Sequence, residues 1–317
     1  MRSLLLLSLA FFLASALPFN KEERSNLGAT HSKGLNRKTT ELIFGGTKAQ
    51  SGQFPTQVFI SVTTKSGDEF RCGGSLISTT HILTAAHCTD DMASASSMIM
   101  FGVVDLKNPT ANFQRRNIQA TFDHPQWDPQ DPDYKNDISI IEFSPAVVLN
   151  PDVQIAKIVS DDTELLKVPT ANVSGYGVFN FVNKKAKQSS DLLYATVNLY
   201  NSTYCNSSWD GTLTDKQICA GVANRGIGEG DSGGPIQVIY NNERYQIGLT
   251  SYGESDVIAQ NNQDKDPTVF TRVSKYCGFI KTSTKDVVKC GTVTRSATTS
   301  KSTARPQPAR RPTTRRK

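Results

Sequence analysis

The chain has 317 residues, 37% of them hydrophobic, and a formal net charge of +6. That length holds one large domain or two medium ones, and the apolar content excludes a membrane protein. The charge is uneven: +8 beyond Cys290, +3 before Ile43, and therefore −5 for the body, so the whole-chain charge says little about what the body binds, and no nucleic-acid partner is expected.

In chain order, Met1-Arg2 precede an apolar run from Leu4 to Ala14, followed by the small residues Ser15 and Ala16. A positive start, a short apolar stretch and a small-residue end describe a secretory signal peptide over 1–17. The run falls short of the ~20 residues needed to span a bilayer, so a secreted, extracellular chain is expected, with no membrane anchor. Residues 18–42 are polar, aperiodic and free of cysteine, and read as a propeptide.

From Ile43 the texture changes to short β-type runs set apart by Gly, Pro and Asn. Such runs lie at 57–62, 97–102, 137–143, 236–240 and 245–252, the pattern of an all-β sandwich or barrel. One longer helix is expected near 273–288. The acids Asp123, Asp128, Asp131 and Asp133 read as a solvated loop. From Gly291 the chain is Thr, Ser, Pro and Arg, with Val293 its one sizeable apolar residue, too little to fold on its own. Residues 291–317 read as a disordered basic tail for which an anionic glycan is a candidate partner.

Six cysteines in a secreted chain suggest paired disulfides, and six allow 15 pairings. Asn-x-Ser/Thr triplets begin at Asn172, Asn201 and Asn206 and are candidate glycosylation sites.

Three segments carry chemistry: Leu83-Thr84-Ala85-Ala86-His87-Cys88, Asn136-Asp137-Ile138-Ser139-Ile140-Ile141, and Gly228-Glu229-Gly230-Asp231-Ser232-Gly233-Gly234-Pro235. Acyl transfer by a serine needs an imidazole to take the hydroxyl proton. The imidazole needs a carboxylate to fix its tautomer, and the oxyanion needs backbone N–H donors. A glycine-rich turn around Ser232 can supply those donors from Gly230 and Ser232.

With these motifs, in the order His, Asp, Ser, the chain resembles the chymotrypsin-like (trypsin-fold) serine protease family from about Ile43 to Lys289. The resemblance implies two six-stranded antiparallel β-barrels with the active site between them and a C-terminal helix, within a protease domain over 43–290. It implies His87 as general base, Asp137 as its orienter and Ser232 as nucleophile. It pairs Cys72 with Cys88 and Cys205 with Cys219, which leaves Cys277 with Cys290. It also implies a zymogen, in which a freed Ile43 amine meets Asp231. Leu42 departs from the basic residue that precedes that bond in trypsin-like activation.

The substrate pocket carried over is Gly226, Ile227, Ser251, Gly253 and Thr268. Gly226 stands where trypsin-like relatives have an aspartate, so small-to-medium uncharged side chains are the expected preference. Ser251 and Gly253 should hold substrate backbone by strand addition. Gly228 stands where many relatives have a cysteine. The expected partners of this monomer are protein or peptide substrates and protease inhibitors. No metal or other cofactor is expected, because no further His/Cys/Asp set has zinc spacing. The alternative is a catalytically silent binding or regulatory protein on the same fold. An esterase with triad order Ser-Asp-His does not fit the chain order.

Overall fold

A computed structural model describes residues 45–182, 185–254 and 261–294. The expected signal peptide and propeptide, Ile43 and residues 295–317 lie outside the described residues. Among the described residues no helix is long and apolar enough to cross a membrane.

The strands build two closed antiparallel barrels of six strands each. The first uses β2 (Gln57–Thr63), β3 (Glu69–Ser78), β4 (His81–Thr84), β5 (Met98–Phe101), β6 (Gln114–Asp123) and β7 (Ser139–Ser144), in the order β2-β3-β4-β7-β6-β5. The second uses β8 (Thr170–Gly175), β11 (Leu193–Leu199), β12 (Gln217–Gly221), β13 (Pro235–Tyr240), β14 (Glu243–Tyr252) and β15 (Thr268–Arg272). Pairing of β8 with β11 closes it, and the short β1 (Thr47–Lys48) adds to β11 from outside. The hairpin β9 (Val178–Val182) and β10 (Lys185–Gln188) stands apart as a two-stranded sheet.

Alternation explains the barrels. Successive strand residues face opposite sides, so Val58, Ile60 and Val62 all fill the first barrel at 0% exposure. Phe59, between them, faces out and meets Tyr176 edge-on, with ring centroids 5.2 Å apart. In the second barrel Val173, Val197, Ile236, Val238, Ile247 and Phe270 share one core. A third cluster joins Leu83, Ile138 and Ile140 of the first barrel to Leu249 of the second and to Val273, Tyr276 and Ile280. This shared cluster fixes how the barrels meet, and the chemistry sits over that seam.

The helix after β15 is shorter than expected. A 3₁₀ turn over Val273–Tyr276 leads into a helix over Cys277–Ser283. It stops because Lys285 and Asp286 take positive φ of 52° and 67°. The same chain end shows a second difference: residues 291–294 dock on the body instead of joining a free tail. Gly291 N–H donates to Ile158 O at 2.8 Å, and Ser160 N–H donates to Gly291 O at 3.1 Å. Val293 packs on the second barrel's core, and Asn241 Nδ2 donates to Thr294 O. Hydrogen bonds to the backbone of Gly291 and Thr294, with the packing of Val293, hold the segment in place.

All three expected disulfides are formed: Cys72–Cys88, Cys205–Cys219 and Cys277–Cys290. The last closes a loop of sequence separation 13 and ties the helix to the docked segment. Replacing both Cys277 and Cys290 by alanine should cost about 3 kcal/mol, on the order expected for a loop of this length. Urea unfolding of the variant beside the parent measures it.

The three glycosylation triplets differ in setting. Asn201 caps a helix over Ser202–Ser208, accepting from Tyr204 N–H, and is exposed. Asn206 is half-buried within that helix. Asn172 lies on β8, and its triplet's Ser174 is 1% exposed and donates to Gln57 Oε1. The folded body therefore hides the third residue of that triplet. In the acidic loop, Lys135 pairs with Asp131 and Asp133, while Asp123 accepts from Thr89.

Candidate active site

His87 sits in a 3₁₀ turn, Ala86–Cys88, directly after β4. Ala85 and Ala86 are fully buried, and the Cys72–Cys88 bridge ties the turn to β3. Asp137 lies just before β7, delivered by a tight turn in which Asn136 takes φ 59°, a region asparagine tolerates better than most residues. The two groups meet twice. His87 N–H donates to Asp137 Oδ1 at 3.0 Å, and His87 Nδ1 lies 2.8 Å from Oδ2. The second contact places the imidazole proton on Nδ1 and leaves Nε2 as an acceptor.

Asp137 is fully buried, and the second barrel holds it. Ser251 Oγ donates to its Oδ2 at 2.6 Å, and Thr271 Oγ1 donates to its main-chain O at 2.8 Å. Burial opposes a charge on either group. The ion-pair geometry outweighs it, holding the Asp137 carboxyl below its ordinary range and the His87 imidazole above its own.

Ser232 lies in the turn between β12 and β13. Gly233 has φ 73°, and a Cβ there would fall 2.1 Å from Thr84 Oγ1, so only glycine fits. Both barrels grip the turn: Gly73 N–H donates to Ser232 O at 2.7 Å, and Gly233 N–H donates to Thr250 O at 2.8 Å. The N–H groups of Gly230 and Ser232 donate to no acceptor among the described residues. His87 and Ser232 line one cleft of about 360 Å³. The described residues contain no hydrogen bond between them, a contact that in substrate-free sites often tightens only on binding.

Asp231, beside Ser232, is fully buried. Gly177 N–H and Gly228 N–H donate to its two oxygens at 2.7 and 3.0 Å. Burial pushes its carboxyl up to about 6, with the two N–H donors opposing. No cation pairs with it among the described residues. Gly45 enters against the nearby loop, where a Cβ would fall 2.1 Å from Asn224 O.

The cleft takes in Ile227, Ser251, Gly253 and Thr268 as expected. Gly226 lies behind it, against Gln263, which lines the cleft and was not foreseen. Tyr134, Tyr252 and Glu254 are further lining residues that motif reading missed. Tyr134 meets His87 edge-on at 5.9 Å. Asp266 joins the lining, as do the exposed Glu229 and Glu254. Ser251 has a role beyond the backbone one expected of it: its hydroxyl serves Asp137. Its main chain sits at an irregularity in the β14–β15 ladder, out of register with β15. At Gly228 a Cβ would lie 2.4 Å from Val178 O, so this backbone leaves no room for a side chain there.

Comparison with known proteins agrees with this architecture. The trypsin family model matches residues 43–280. Chymotrypsin-like elastase family member 1 of Felis catus is 29% identical over 244 residues, covering 77% of this chain and 90% of that protein. The Bos taurus protein of the same name is 28% identical over 244 residues, and the Rattus norvegicus protein 29% over 248, with the same coverage. By its two barrels, its seam and the match over 43–280, the chain belongs to the trypsin family of chymotrypsin-like serine proteases.

Proposed function

We propose that the chain is a secreted serine endopeptidase, made as a zymogen, that cleaves peptide bonds through His87, Asp137 and Ser232. The observation that carries this reading is the double contact of one buried carboxylate on His87, facing the cleft that Ser232 lines. Ser232 Oγ attacks the scissile carbonyl and His87 Nε2 takes its proton. Asp137 stabilises the imidazolium that forms. The unused N–H groups of Gly230 and Ser232 receive the oxyanion. His87 then gives the proton to the leaving amine, and water repeats the sequence on the acyl-enzyme.

Secretion is supported by the three disulfides. The expected preference for small-to-medium uncharged side chains is supported by Ile227, Thr268 and Gln263, which are 9%, 4% and 4% exposed and narrow the cleft. Protein and peptide substrates, and inhibitors that mimic them, are the partners of such a cleft. The basic residues from Arg295 onward suit an anionic glycan.

A fluorophosphonate probe tests the reading. Chain cleaved to begin at Ile43 should label at Ser232, and the Ser232→Ala variant should not. Absence of labelling in the cleaved, folded chain would instead identify a silent binding protein on the protease fold.

A further inference from the structure

Gln263 lies on the approach to β15 and is 4% exposed. Two positions without a Cβ admit it. A Cβ on Gly221 would fall 1.9 Å from Gln263 O, and a Cβ on Gly226 would fall 1.9 Å from Gln263 Oε1. Its carboxamide thus lies against the position that is an aspartate in trypsin-like relatives. It is tied at both ends. Nε2 donates to Ile227 O at 2.8 Å, and Oε1 accepts from Thr268 Oγ1 at 3.2 Å. All three residues line the cleft that holds His87 and Ser232.

A carboxamide offers two N–H groups and an oxygen with two lone pairs. The contacts to Ile227 and Thr268 use one of each. Among the described residues one N–H and one lone pair of this cleft-lining carboxamide have no partner, and a buried polar group left without one is costly. An apolar side chain would desolvate both without replacing their bonds. A charged one would lose its own hydration against a neutral floor. A short side chain ending in a hydroxyl or carboxamide satisfies them.

We propose that Gln263 sets the specificity of the site, and that the residue preferred on the acyl side of the scissile bond is uncharged and polar, of the Thr, Ser or Asn type. This rests on the endopeptidase reading and names the substrate class within it. Glu229, Glu254 and Asp266 line the same cleft, so a lysine at that position is the competing occupant.

The test uses the full chain activated at Ile43: one portion is labelled with the fluorophosphonate to count assembled sites, and a separate, unlabelled portion is given peptides that differ only at that residue. Near-isosteric pairs isolate the hydrogen bonds: Thr against Val, and Asn against Leu. The parent should favour the polar member of each pair by about tenfold in kcat/KM. Gln263→Leu, similar in size and unable to hydrogen-bond, should bring both ratios to about one. Gln263→Ala should instead open the floor and raise cleavage after Leu and Phe by about tenfold. Labelling rate and thermal unfolding show that each variant is folded. A parent that labels in the first portion and cleaves in the second, with ratios near one or with Lys preferred, overturns this inference and leaves the endopeptidase reading standing. Neither labelling nor cleavage of any peptide overturns both. The parent's own ratios decide the matter even if neither variant folds.

Discussion

Replacing Ser232 by alanine will lower kcat/KM on a peptide substrate about a million-fold, with the urea midpoint almost unchanged. The side chain removed is small, and among the described residues its hydroxyl makes no hydrogen bond, so little structure depends on it. Asp137→Asn is the more discriminating variant. It keeps the size of a fully buried group but turns one acceptor oxygen into a donor. Asp137 accepts from His87 N–H, His87 Nδ1 and Ser251 Oγ. Whichever oxygen becomes the amide faces a donor. If the imidazole responds by moving its proton to Nε2, it can no longer accept from Ser232. A loss of about ten-thousand-fold in kcat is expected. The pH profile should change as well. His87 must be neutral to act as a base, so activity rises with pH through its pKa. The Asp137 charge holds that pKa above the ordinary histidine value. The rising limb of the Asp137→Asn variant should therefore sit at lower pH. A limb that stays in place would mean that Asp137 does not charge-couple to His87.

Freeing the Ile43 amine should raise the rate of Ser232 labelling by about a hundred- to a thousand-fold, the scale of losing one oxyanion donor. Gly45 already packs against Asn224, and two residues reach about 7 Å. The amine is thus on a short tether, and Asp231 is a buried carboxylate without a cation among the described residues. The same group gives a stability signature. Its folded pKa of about 6 lies above the unfolded value near 3.9. The folded state holds this proton more tightly, so stability from Asp231 is fully present below about pH 4 and is lost as pH rises through 6. The loss is about 3 kcal/mol for the uncleaved chain. In the cleaved chain the ammonium supplies the missing charge, and that decline should be absent. Urea unfolding of both forms at pH 4.5 and pH 8 measures the difference, which should open only at the higher pH. Identical curves at both pH values, or an active form that begins at Thr39, would remove the amine from the mechanism.

The parts of the site legible in the sequence are those where one residue type is forced. Gly233 is forced by its φ and by Thr84, so the glycine-rich turn around Ser232 stands out in the sequence. His87 stands next to a cysteine because the bridge to Cys72 braces its turn. The strands were legible because Val and Ile recur on a period of two. Gln263 was not legible: it sits in a polar run beside Asn261 and Asn262, and only the two missing Cβ atoms give it a place. Ser251 is expected to offer its backbone to substrate, and the further role of its hydroxyl, a bond across the barrels to Asp137, is not readable from its own segment. The docking of 291–294 draws on backbone groups as well as on Val293, and composition does not display the former. The early end of the last helix comes from two left-handed residues, neither of them glycine.

The ties from Ser251 and Thr271 to Asp137 also bear on how such a protein can be recombined. Asp137 belongs to one barrel, and the two hydroxyls that bond it, Ser251's on the carboxylate and Thr271's on the main-chain oxygen, belong to the other. Neither barrel is therefore a transferable catalytic module. A chimera that replaced the second barrel would inherit the first barrel's histidine and aspartate unchanged. It would orient them only if the incoming strands brought hydroxyls to the same two places. Lineages built by exchanging barrels should thus be constrained at 251 and 271 as tightly as at positions that touch substrate.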